Sequence, residues 1–153
     1  MTREAVVSEA LLNSFNLDAR LQKDTVWMGD FPLSRVLLMN EARYPWFILV
    51  PRVDSVSEIY QLSSSDQIQL LGESVSLSKW MSEAFIPDKM NVAAIGNIVR
   101  QLHLHHVARK VGDPAWPRPV WGMHEPIPYG ESELLKIKQS FDLASLPECD
   151  RSQ

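Results

Sequence analysis

The chain has 153 residues, 45% of them hydrophobic and 22% charged, with a formal net charge of -4. That length suits one domain with a real core. The acidic balance, with no block of Lys and Arg, argues against a nucleic-acid polymer as partner and leaves room for a local anion pocket. A single cysteine, Cys149, excludes an intrachain disulfide and fits a reducing, cytoplasmic setting. The opening Met1, Thr2, Arg3, Glu4 lacks the apolar stretch of a secretion signal. No apolar run approaches the roughly 18 residues of a membrane span.

In chain order, Val6, Val7, Ala10, Leu11 and Leu12 predict a short amphipathic helix over residues 4–14. Residues 15–30 predict a short strand and a turn signalled by Gly29 and Asp30. Residues 34–39 and 46–50 are the strongest strands, near-continuously apolar and so central in a sheet. A hairpin over residues 40–45 joins them, and Pro51 ends the second. Ser64 with Gln67 reads as a capping box opening a long helix over residues 65–85. Its apolar line is Ile68, Leu71, Val75 and Ser78, widened by Leu70, Leu77, Met81, Ala84 and Phe85. Pro87 and Asp88 stop it, and a strand over residues 89–95 follows. After a run rich in Pro and Trp over residues 113–122, a last helix spans residues 131–141. Strands, one long helix and then two more strands predict an α+β fold with an antiparallel sheet.

Three of the four histidines fall between Gly96 and Arg109. Ile98, Val99, Leu102, Leu104 and Val107 give that stretch strand character. Side chains at i, i+2 and i+4 of a strand share a face. Gln101, His103 and His105 therefore point one way, and Leu102, Leu104 and His106 the other.

This stretch resembles the histidine triad (HIT) superfamily of nucleotide hydrolases and transferases, whose pattern is three alternate histidines, two apolar residues and then often Pro and Arg. Two registers exist. One puts Gln101, His103 and His105 on the triad, anchored by Gly96, Asn97, Ile98, Val99 and Arg109; the other uses His103, His105 and Val107. The first needs no gap and is adopted. A bacterial branch of the superfamily shares the Gln variant and the Trp/Pro run. The resemblance covers roughly residues 33–113. It implies a sheet of about five antiparallel strands, one long helix and shorter helices on one face, and a homodimer. The whole chain reads as a single HIT-like domain, with its core at about residues 15–125 and a C-terminal helix and tail over residues 126–153.

By the same resemblance His103 is the nucleophile that attacks an α-phosphate and forms a nucleotidyl-histidine, its other ring nitrogen held by the backbone carbonyl of Gln101. His105 contacts the phosphate and leaving group as donor or acid. Asn40 holds ribose hydroxyls. Gly96 allows close backbone approach, Asn97 donates to a phosphate oxygen, and Arg109 is a further phosphate candidate. His106 is expected to pack in the interior. Trp116, Trp121 and His124 are read first as core or interface anchors. Two departures stand out: Gln101 replaces the first histidine, and the strand over residues 46–50 has no histidine where several HIT enzymes carry a fourth.

The function implied is a nucleotide phosphoanhydride hydrolase or nucleotidyl transferase, with dinucleoside polyphosphates a plausible substrate class. It needs no obligatory cofactor, and a divalent cation can arrive with the nucleotide. The alternative is a nucleotide-binding HIT-like protein of weak or no activity, which Gln101 favours. A metal protein using His103, His105 and a distant His124 or Cys149 is a third reading, disfavoured because no second ligand pair has suitable spacing.

Overall fold

β-Branched and apolar runs become strands when a sheet can bury them on both sides. The computed structural model describes residues 15–142 and Leu146. Among these residues β1 (Thr25–Asp30), β2 (Ser34–Met39), β3 (Trp46–Pro51), β4 (Lys89–Ala93) and β5 (Leu104–Arg109) form one antiparallel sheet, in the order β1-β2-β3-β5-β4. Helices α1 (Ala19–Asp24), α2 (Ser64–Phe85) and α3 (Glu131–Ser140) flank it. The architecture is the expected α+β fold. The helix predicted over residues 4–14 lies outside the described residues. No helix among the described residues is long and apolar enough to cross a membrane.

Alternation along the strands divides the core in two. Val36, Leu38, Phe47, Leu49, Leu104 and Ala108 face Leu70, Leu77 and Met81 of α2, with Phe141 beyond α3 and Leu146 closing the same layer. Leu37, Ile48, Val50 and Val107 face the other way, under Leu21 of α1 and under Ala115 and Val120 of the Pro/Trp-rich segment. The long helix and the C-terminal helix thus share one face, and short α1 covers the other. Because Phe141 and Leu146 belong to the core, packing continues past residue 125.

Helix α2 departs from its predicted face. Ile68, Leu71 and Val75 are exposed, whereas Leu70, Glu73, Ser74, Leu77 and Met81 are buried. Each buried Leu or Met contributes about 1.5–3 kcal/mol over an exposed one, yet the inner face is fixed by polar side chains too. The Glu73 carboxylate accepts the backbone N–H groups of Leu33 and Ser34, each at 2.9 Å, and Gln69 Nε2 at 2.8 Å. These bonds satisfy donors at the start of β2 that the sheet leaves unpaired. The helix cap is Ser63 rather than Ser64: its Oγ accepts from Asp66 N, and Gln67 turns back to the Leu62 carbonyl.

Two further boundaries moved. Gly29, expected in a turn, lies in β1 at a bulge against β2, with φ of 145°, a conformation that suits glycine. The histidine strand begins only at Leu104. Ahead of it, Gly96 takes φ of +72°, and Leu102 N donates to Val56 O instead of to a strand. Backbone bonds directed elsewhere end the ladder there, and residues 96–103 form a loop over the sheet.

Candidate active site

The antiparallel register of β3 and β5 sets the site. Ile48 lies opposite His105, Trp46 opposite Val107, and Phe47 opposite His106. His105 therefore shares a face with Ile48 and Trp46, and His106 shares the helix-covered face with Phe47. The expected split of the histidines follows: His106 Nε2 pairs with Ser74 Oγ of α2 at 2.7 Å, while His103 and His105 lie on the opposite side with ring centroids 4.7 Å apart.

His103 Nδ1 donates to the Gln101 carbonyl at 2.7 Å. A carbonyl only accepts, so Nδ1 carries a proton, and in the neutral ring Nε2 carries the lone pair. The Gln101 side chain has another task. Its Oε1 accepts Asp18 N at 2.8 Å and its Nε2 donates to Asn16 O at 2.9 Å. It ties the segment ahead of α1 to the histidine loop and does not point its amide at His103.

His103 and His105 line a cavity of about 390 Å³ with Gly96 and Asn97. Apolar Leu21, Met39, Ile95, Ile98, Val99 and Trp121 make much of its wall, and Arg20 and Asp24 of α1 stand at it. A neighbouring cavity of about 460 Å³ shares Arg20, Asp24, Met39, Ile98 and Gly122 and extends to Lys23, Asn40, Glu41, Tyr44, Trp46 and His124. Asn40 thus stands beside the histidine cavity rather than in it, and its Oδ1 is taken by Tyr129 N at 2.9 Å.

Arg109 is not brought to this site. Only 1% exposed, it forms a two-pronged pair with Asp113 at 2.7 and 2.9 Å, bonds Asn91 Oδ1 at 3.0 Å and lies against the rings of Tyr44 and Trp116. A guanidinium with its fork filled has little left for a ligand phosphate. Arg109 instead anchors the Pro/Trp-rich segment to the sheet. The same segment places Trp121 edge-on to His105, with centroids 5.3 Å apart.

Sequence reasoning missed Trp46. Its Nε1 donates to His105 Nδ1 at 3.0 Å, reaching diagonally across the strand pair. The signal was the departure on the strand over residues 46–50, which has no histidine where several HIT enzymes carry a fourth. Burial, reinforced by the charges of His103 and His106, pushes the His105 imidazolium down to about 3. Burial likewise holds His106 down to about 4. Both rings are neutral at pH 7. His124 stacks on Tyr44. Among the described residues no group of three or more His, Cys, Asp or Glu could hold a metal ion; Cys149 lies outside them.

A five-stranded antiparallel sheet with two neighbouring histidines, one at the end of a loop and one on a strand, opening on a cavity defines a HIT-type domain. The HIT domain family matches residues 20–112, and the chain belongs to that family. Three solved relatives described as histidine triad proteins superpose over most of it. The one from Marinobacter aquaeolei is 53% identical, covers 82% of this chain and 92% of its own, and has a TM-score of 0.81. That from Bradyrhizobium japonicum is 44% identical over 82% and 94%, with a TM-score of 0.81. That from Sinorhizobium meliloti is 40% identical over 84% and 96%, with a TM-score of 0.83. Among proteins of curated function none matches the chain.

Proposed function

We propose that this HIT protein binds a nucleotide and acts as a phosphoanhydride hydrolase or nucleotidyl transferase through a nucleotidyl-His103 intermediate. The observation that carries the reading is the His103 ring: Nδ1–H on the Gln101 carbonyl at 2.7 Å, with Nε2 left as a nucleophile at the wall of a nucleotide-sized cavity. The apolar wall suits a base, the neighbouring cavity beside Asn40 suits a ribose, and Arg20 and Lys23 supply positive charge for phosphates. A protein from Sulfolobus tokodaii described as a hypothetical histidine triad nucleotide-binding protein, 17% identical to this chain, shares the fold.

In the proposed reaction the Nε2 lone pair forms a bond to the α-phosphorus and the phosphoanhydride P–O bond breaks, its electron pair leaving with the departing phosphate. Nδ1–H stays on Gln101 O, so the adduct is a phosphoimidazolium. Water then forms a P–O bond, the P–N bond breaks, the pair returns to Nε2, and the water gives up one proton. Another acceptor in place of water makes the protein a transferase. Dinucleoside polyphosphates are the substrate class put first. No resident cofactor is needed, and a divalent cation would arrive with the polyphosphate.

A second reading, a nucleotide binder with weak or no turnover, is favoured by Gln101, whose side chain is given to Asn16 and Asp18. A screen of dinucleoside polyphosphates beside His103→Ala separates the two. Hydrolysis by the wild type alone is expected. Binding without hydrolysis by either protein would establish the second reading.

We also propose a homodimer. Four of the five tryptophans pack within the chain and only Trp27 is largely exposed, its indole N–H on Asp30 Oδ1, so the tryptophans no longer carry the argument. Its support is the open edge of β4, where Val92 is exposed, together with exposed Ile68, Leu71 and Val75 on α2. Light scattering at micromolar concentration should give twice the chain mass; a monomer mass would contradict it.

A further inference from the structure

Three histidines in four residues have their protons placed by what faces Nδ1. For His103 it is the Gln101 carbonyl, and for His106 the Leu104 carbonyl at 3.1 Å. Both acceptors lie two residues back along the chain, and both call for Nδ1–H. His105 breaks the series. Its Nδ1 faces the indole N–H of Trp46 at 3.0 Å, and an indole nitrogen only donates. The nitrogen opposite must offer a lone pair, so the His105 proton sits on Nε2.

We propose that Trp46 is a positioning residue that locks His105 in its Nε2–H tautomer, and that the site is thereby tuned to leaving groups that depart as anions, phosphates above all, over leaving groups that must take a proton, such as the amine of a phosphoramidate. This rests on the phosphoryl-transfer reading above and narrows its substrate class.

The lock is steric as well as electronic. His105 is 5% exposed and Trp46 8%. The imidazole is wedged among Trp46 at 5.7 Å, Trp121 at 5.3 Å and His103 at 4.7 Å between ring centroids. A ring flip would set a carbon against the indole N–H. A second proton, on Nδ1, would set N–H against N–H. The charged groups around it are few: Arg20 and Asp24 share its cavity from α1, His103 lies beside it, and His106 lies on the far side of the strand. The depression of its imidazolium to about 3 agrees with this geometry.

A neutral Nε2–H can donate a hydrogen bond to a phosphate oxygen or to the leaving oxygen. It cannot release that proton without becoming imidazolate. When a phosphoanhydride P–O bond breaks, the electron pair stays on a phosphate oxygen that is stable as an anion, and a hydrogen bond is help enough. When a phosphoramidate P–N bond breaks, the nitrogen takes the pair and needs a proton, which a locked His105 does not supply.

Two measurements on the full chain test this. In 15N-labelled protein at pH 7, long-range imidazole proton–nitrogen correlations, assigned with His105→Gln, should show Nε2–H for His105 and Nδ1–H for His103, with no titration of His105 down to pH 5 and the same tautomer when AMP is added. Nδ1–H at His105, or a second proton near pH 6, would overturn the lock. In kinetics, the wild type should favour a dinucleoside polyphosphate over adenosine 5′-phosphoramidate in kcat/KM. Trp46→Gln, whose side-chain carbonyl can accept Nδ1–H and so let the ring hold two protons, should narrow that ratio about tenfold or more, since a freed general acid is worth about 10²–10⁴ in rate. A purely structural Trp46 would lower both rates alike and leave the ratio unchanged, which would overturn the substrate half. Turnover of neither substrate by folded wild type would overturn the hydrolase reading and the substrate half with it; the tautomer signal decides the lock without any turnover.

Discussion

His105 and His106 are adjacent in β5 and leave it on opposite sides of the sheet. On one side His106 is fully buried, bonded at both ring nitrogens to Ser74 of α2 and to the Leu104 carbonyl. On the other, His103 and His105 sit at the wall of a cavity lined, among the described residues, by α1, Met39, the loop over residues 95–99 and the Trp121 region. The side under α2 spends its histidine on fixing the long helix to the sheet. On the cavity side only Nδ1 of each ring is bonded among the described residues, and Nε2 of each faces the cavity side free of them. The same residue type thus serves packing or chemistry according to whether a neighbouring element occupies its second nitrogen.

The sharpest way to break this comparison is to remove the imidazoles on the cavity side. His103→Ala should remove essentially all turnover while leaving the fold and nucleotide binding in place, read by initial rates beside a binding titration. His105→Ala should cost about 10²–10³ in rate, the usual worth of a hydrogen-bond donor aimed at developing charge. On the other side, His106→Ala should cost about 2–4 kcal/mol of stability, because it opens a cavity and strands the Ser74 hydroxyl. Turnover per folded molecule should survive it. Loss of chemistry with His106→Ala and its retention with His103→Ala would reverse the two faces.

Gln101 sharpens the comparison next. On sequence alone, Gln101→His rebuilds the triad without touching the carbonyl that orients His103, and activity should hold or rise. The structure changes that expectation. Histidine cannot reproduce both the bond from Asp18 N and the bond to Asn16 O. Two hydrogen bonds worth about 0.5–1.5 kcal/mol each set an upper range of about 5- to 150-fold in affinity, so Gln101→His should weaken nucleotide binding by loosening α1. Unchanged affinity would show that the segment ahead of α1 holds without the latch.

A further effect is on the acid limb of stability. His105 and His106 are held down to about 3 and about 4, against 6.5 for an ordinary histidine. Between about pH 6.5 and 4 the unfolded chain binds protons that the folded chain refuses, so stability is full above about pH 7 and drains as pH falls through that window. Denaturant midpoints at pH 7.5 and pH 5 should show the loss, and His106→Gln should reduce it. A flat profile would mean that the two rings accept protons within the fold.

Much of this was legible because it depends on alternation. Strands β2 and β3 are near-continuous apolar runs, and period two separates His105 from His106. What was not legible depends on partners distant in sequence. The inner face of α2 is chosen by Glu73 and Ser74, whose partners Leu33, Ser34 and His106 lie some 30 to 40 residues away. Arg109 reads as a strand-end cation until Asp113 and Asn91 fill its fork. Trp46 reads as a strand hydrophobe until the β3–β5 register sets it diagonal to His105. Gln101 reads as a lost histidine until its amide is seen to hold the entry to α1.

The central claim is that His103 Nε2 makes a covalent bond to phosphorus. Rapid acid-free denaturation of the protein during turnover of a dinucleoside polyphosphate, followed by intact-mass and fragment-mass analysis, tests it directly. A nucleotidyl adduct on the peptide carrying His103, absent from His103→Ala and discharged by water in a chase, is the predicted result. Product formation with no adduct, or an adduct on another residue, would contradict the account.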